Sequence, residues 1–99
     1  MGYEEYDTVP IRTVAIPADT TGPTVVKPSA GMLGTILVTA TGAGQVTVYD
    51  NSSAAAGTVI GITVANPAVG TVYALDMPAV NGIVVGGSGT SPGVTISYQ

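Results

Sequence analysis

Short apolar runs interrupted by small polar residues recur along the whole chain, and most of their members are β-branched. In residues 46–64, VTVYDNSSAAAGTVIGITV, two such runs flank a loop of Asp, Asn, Ser, Ala and Gly. Runs of this kind predict strands at about 12–16, 24–27, 32–41, 45–49, 58–64, 71–77, 82–85 and 94–98. The segments between them are rich in Gly, which supplies positive φ, in Pro, which presets φ, and in Asn, Asp and Ser, which bond to nearby backbone. No window of about a dozen residues keeps apolar positions at helical spacing without Gly, Pro or Thr intervening, so helices are not expected. Seven or eight short strands at this spacing predict an all-β fold, an antiparallel β-sandwich or a small barrel.

Alternation at period two then assigns faces. Ile36, Val38 and Ala40 share one face of their strand, as do Val46 with Val48, Ile60 with Ile62 and Val64, and Val94 with Ile96 and Tyr98. Thr35, Thr39, Thr47, Thr63, Thr95 and Ser97 are expected on the opposite face. A Thr-covered face stays soluble without charge and is easily covered by another subunit. Pro10, Pro17, Pro23 and Pro28 cluster in the first third, which predicts an arm or edge element there instead of a central strand. The chain is accordingly divided into an N-terminal arm and edge segment, residues 1–23, and a β-sandwich domain, residues 24–99. Residues 1–11 are read as an arm that orders against a partner.

Composition narrows this picture. A chain of 99 residues forms one domain and buries roughly two-thirds of its extended surface. It has no Phe and no Trp, so the core is built from Val, Ile, Leu and Ala with help from Tyr. Charged residues make up 8%, against about 25% in ordinary soluble domains, which leaves a surface of Thr, Ser, Gly and backbone suited to a larger assembly. Of the charged residues only Asp50 and Asp76 lie beyond Lys27. The formal charge is −4 and the basic residues are Arg12 and Lys27 alone, so there is no cationic stripe for nucleic acid or anionic lipid. No apolar run approaches the roughly 18 residues of a membrane span. The residues after Met1 have neither the basic nor the apolar region of a secretory signal, and there is no Cys, so synthesis in a cytosol is expected. Asn51-Ser52-Ser53 matches the N-glycosylation pattern, which is expected to go unused without such a signal.

Candidate chemistry is sparse. Asp50 and Asn51 offer a single carboxylate where hard cations want several converging oxygens, and Ser52 or Ser53 lacks a base in a chain without His. The loop therefore reads as a turn. Glu4, Glu5 and Asp7 form the one carboxylate cluster, better suited to a solvated acidic arm than to paired acid and base work. Asp76 is expected at a strand end, bonding to backbone in the following turn. Residues 86–93, GGSGTSPG, lack the Lys and the following helix of a phosphate-cradling loop and read as a hairpin connection. No catalytic, metal or cofactor site is expected, and the protein is not expected to be an enzyme. Tyr49 and Tyr73 are candidates for anchors at a subunit contact, and Tyr3, Glu4, Glu5, Tyr6, Asp7 and Arg12 are candidates for partner binding by the arm.

The succession of Gly31-Met-Leu-Gly-Thr-Ile-Leu-Val38, Gln45-Val-Thr-Val-Tyr-Asp50, Gly57-Thr-Val-Ile60, Asn81-Gly-Ile-Val-Val85, Ser88-Gly-Thr90 and Val94-Thr-Ile-Ser-Tyr98 resembles small β-sandwich virion proteins of tailed bacteriophages. The resemblance covers about residues 24–99 and rests on strand and turn residues. It implies a jelly-roll-like sandwich bound to the virion, as a capsid decoration (cement) protein or a head-fibre base, commonly trimeric. The implied partner is the major capsid protein and the implied location is the capsid surface, after synthesis in the host cytoplasm. A tail or head-fibre module that binds a host receptor is the alternative, although loops of Gly, Ala, Ser and Thr offer few aromatic contacts for recognition.

Overall fold

A computed structural model of the chain describes residues 11–99. It contains eight strands: β1 (Arg12–Ile16), β2 (Gly22–Lys27), β3 (Gly31–Ala40), β4 (Thr47–Asp50), β5 (Thr58–Ile62), β6 (Val72–Ala79), β7 (Ile83–Gly87) and β8 (Gly93–Tyr98). All pairings are antiparallel, and the strands form two four-stranded sheets in the orders β1-β8-β3-β6 and β2-β7-β4-β5. The chain turns back on itself at the β4–β5 loop, so that β4 pairs with β5, β3 with β6, β2 with β7 and β1 with β8. Rolling this doubled ribbon gives the two sheets, which is the strand order of an eight-stranded jelly roll. The all-β sandwich expected from the strand spacing is the observed fold. Both β1 and β2 are edge strands, where the Pro-rich first third is tolerated.

The core lies between the sheets. Leu33, Ile36 and Ile96 of the first sheet meet Val48, Ile83 and Val85 of the second, all of them essentially without solvent exposure. Tyr73, Leu75 and Tyr98 pack at its margin. Alternation places Ile36, Val38, Val46, Val48, Ile60, Val94 and Ile96 inward as the sequence predicts.

It fails in the second half of the β5 run. Tyr49 pairs with Val59 while Val48 pairs with Gly61, so Ile60 is an extra residue in β5. A β-bulge of this kind turns two successive residues to the same side. Gly61 consequently faces the core, where a Cβ would lie 2.8 Å from Leu75 Cδ1 and 3.0 Å from Leu33 Cδ2. Every residue beyond it is inverted. Ile62 and Val64, expected inside, are exposed, and Thr63, expected outside, is buried. The Thr63 hydroxyl accepts the Val46 N–H (3.0 Å) and donates to the Val64 carbonyl (3.0 Å), so its polar atom is satisfied within the sandwich.

A second irregularity shapes the outer face of the first sheet. Between Leu33 and Ile36, β3 carries one more residue than β8. The displaced Thr35 N–H donates to Ser97 Oγ (2.8 Å), and the two hydroxyls lie 2.8 Å apart. Asp76, expected at a strand end, lies within β6 with φ of 49°, where β6 shifts register against β3.

Candidate functional site

The loop at residues 51–57 is where the chain doubles back, and its polar side chains are spent on its own geometry. Asn51 Oδ1 accepts the N–H groups of Ser53 and Ala54 (both 3.0 Å), and Asn51 Nδ2 donates to the Ala56 carbonyl (3.1 Å). This is the Asx-type turn its composition predicts. Asp50 works over a longer range. Its Oδ2 accepts the Val80 N–H (3.0 Å), and its Oδ1 accepts those of Asn81 (2.7 Å) and Gly82 (3.3 Å). One carboxylate thus ties the β4–β5 corner to the β6–β7 turn. The Asn81 N–H first, then that of Val80, hold the Asp50 carboxyl below the ordinary carboxylate value, against an opposing effect of burial. A group whose pKa is lowered on folding contributes stability that is fully present above its unfolded pKa. That contribution is lost as pH falls through the lower folded value.

The outer face of the second sheet is apolar along one row. Val25 pairs with Val84, Val84 with Tyr49 and Tyr49 with Val59, which places these four side chains side by side across β2, β7, β4 and β5. Their inward neighbours Val26, Val48, Ile83 and Val85 belong to the core or pack on it, so the row points away from it. Val84 is fully buried within the row, Tyr49 is half-buried, and Val25 and Val59 are 46% and 47% exposed. Ile62, at 47% exposure, extends the patch along β5, where it pairs with Thr47. Beside Tyr49 the surface dips at Gly86, whose missing Cβ would stand 3.1 Å from the Tyr49 ring and 3.2 Å from Ala55 of the folded-back loop. A shallow groove lined by Thr47, Tyr49, Ala55, Gly86 and Ser88 results. No charged residue occurs between Asp50 and Asp76 in the sequence, so the β5 side of this face is electrically bare.

The first sheet presents a different outer face. Thr35, Thr39, Thr95 and Ser97 lie there as the sequence predicts, and a pocket of about 170 Å³ opens at the β3 bulge among Ile11, Met32, Thr35, Asp76 and Ser97. Its hydroxyls are engaged in closing the bulge. Among the described residues no three His, Cys, Asp or Glu side chains gather as metal ligands would.

Of the residues singled out in the sequence, Tyr49 sits in the middle of the apolar row. Tyr73 packs against the core from β6, and its hydroxyl accepts the Val64 N–H (3.2 Å), which secures the chain leaving β5. Arg12 is exposed at the start of β1. Tyr3, Glu4, Glu5, Tyr6 and Asp7, the other candidates for partner binding, lie outside the described residues. The structure therefore brings Tyr49 together with Val25, Val84 and Val59, partners that sequence reasoning did not connect to it. Their adjacency depends on pairings between distant strands, which no local pattern displays.

Fold and surface together define an eight-stranded jelly-roll sandwich whose second sheet carries an apolar row on its outer face. No family model, no curated protein and no solved structure matches the chain.

Proposed function

We propose that the protein is a structural, non-enzymatic component of a tailed-phage particle, a decoration protein that lies on the capsid exterior and stabilises the shell. The observation that carries this reading is the row Val25–Val84–Tyr49–Val59 on the outer face of the second sheet, with charge absent along its β5 side. An aromatic flanked by aliphatics on a weakly charged surface is the composition of an interface centre. The resemblance of residues 24–99 to small virion sandwiches supports the same reading. A cement protein acts by adding contact across capsid subunits, and it shifts the shell toward its assembled state because it binds that state alone. Many copies acting on one shell multiply the effect. A homotrimer closes by head-to-tail contacts and matches threefold points of an icosahedral lattice. The major capsid protein is the partner, with the N-terminal arm carrying Tyr3, Glu4, Glu5, Tyr6, Asp7 and Arg12 as a second point of attachment.

The test uses particles stripped of the protein and then re-incubated with it. The full chain is expected to co-sediment with them and to raise the temperature at which they release DNA. A chain lacking residues 1–11 is expected to keep its circular dichroism spectrum and lose most of this binding. A folded full chain that neither co-sediments nor protects the particles overturns the proposal.

A further inference from the structure

We propose that the Asp50 carboxylate protects the Asn81–Gly82 linkage from deamidation, so that the β6–β7 turn is a guarded modification site. Packing forces glycine at this position: a Cβ on Gly82 would lie 2.5 Å from the Asn51 carbonyl oxygen and 2.6 Å from that of Lys27. The fold therefore places glycine directly after an exposed asparagine. That is the linkage most open to ring closure, since glycine sets no side chain in the way of the attacking amide.

The reaction is balanced by water alone. The Gly82 N–H gives up its proton to a base, and the nitrogen forms a bond to Asn81 Cγ. The side-chain nitrogen leaves as ammonia, and a succinimide remains. Water then opens either C–N bond of the ring, giving aspartate or isoaspartate at position 81. Each early step needs the Gly82 nitrogen free. Here its hydrogen points at Asp50 Oδ1 (3.3 Å), the Asn81 N–H is held by the same oxygen (2.7 Å), and the Gly82 carbonyl accepts the Asn51 N–H (3.2 Å). Removing the proton would set a second negative charge against the carboxylate, and turning the nitrogen toward Cγ would break the three-amide clamp. Hydrogen bonding to an anion and a nearby like charge both oppose ionisation.

The other asparagines have other protection. Asn66 precedes Pro67, which has no N–H to lose, and Asn51 has its own side-chain oxygen held by Ser53 and Ala54. Asn81 depends on a carboxylate thirty-one positions away.

The experiment follows Asn81 by peptide mapping in mildly alkaline buffer, scoring conversion of the amide to acid and the appearance of isoaspartate. The full native chain is compared with a synthetic peptide of residues 78–85 and with Asp50→Ala, its fold checked by circular dichroism. The native chain is expected to convert about tenfold or more slowly than the peptide, the factor carried by one unit of amide acidity. Folded Asp50→Ala is expected to approach the peptide's rate. Where that variant does not fold, Asp50→Asn replaces it, keeping the shape with a neutral acceptor, and an intermediate rate is expected. Equal rates in native chain and peptide overturn the proposal, and so does a folded Asp50 variant that stays as slow as the native chain.

Discussion

Leu33→Ala is expected to unfold on the order of 10–30 °C below the native chain, from a loss of about 2–5 kcal/mol. Leu33 has no solvent exposure and sits where three features meet: the β3 bulge, the inward-turned Gly61 and the Leu75 side chain. With no Phe or Trp in the chain, the core is an assembly of small aliphatics, and one of its largest members leaves a hole that neighbours of this size fill poorly. A domain of this class has only about 5–15 kcal/mol of net stability, so the loss is a large fraction of the whole. The control is Val80→Ala at a side chain 75% exposed, where a change within about 0.5 kcal/mol is expected. Urea and thermal unfolding followed by circular dichroism read both. Equal behaviour of the two variants would mean that Leu33 does not lie between the sheets.

Gly82→Ala is expected to lower stability by about 1–3 kcal/mol or more, by overpacking instead of by a void. The two nearest of the atoms its methyl group would meet, the carbonyl oxygens of Asn51 and Lys27, both belong to backbone, as does the third, the Ser52 Cα. None can swing aside as a side-chain tip would, so the ends of β2 and β4 must separate from the start of β7. The Asp50 bond to the Gly82 N–H is strained by the same movement. Gly89→Ala is the matched control, because a Cβ there meets only the Thr21 methyl at an ordinary 3.6 Å. A urea midpoint for Gly82→Ala equal to that of Gly89→Ala would contradict the close packing of the β4–β5 corner on the β6–β7 turn.

The strands themselves were legible because each is a β-branched run bounded by residues that cannot continue it, and both kinds of signal are local. That the first third holds no central strand was legible for a similar reason, since proline lacks the N–H a central strand must donate, and Pro23 lies within the edge strand β2. Facing was legible only as far as strict alternation held. One extra residue at Ile60 exchanged the roles of Ile62, Thr63 and Val64, and the glycine at 61 was the single local sign of it, since an isolated glycine inside a strand pattern marks a bulge or a close approach. Asp50 read as the end of a strand because its partners, Val80, Asn81 and Gly82, are thirty or more positions distant. The apolar row was out of reach for the same reason. Val25, Tyr49, Val59 and Val84 look like ordinary strand residues until the jelly-roll order sets them side by side.

The central claim, the proposed place on the exterior of a tailed-phage capsid, is tested most directly by gold-labelled antibody against the purified protein, applied to intact particles isolated from a lysate that contains it and viewed by electron microscopy. Gold distributed over the outside of the head, at many sites per particle, is the expected result. Gold confined to the tail tip or to fibres would contradict it, and so would particles without gold on their exterior.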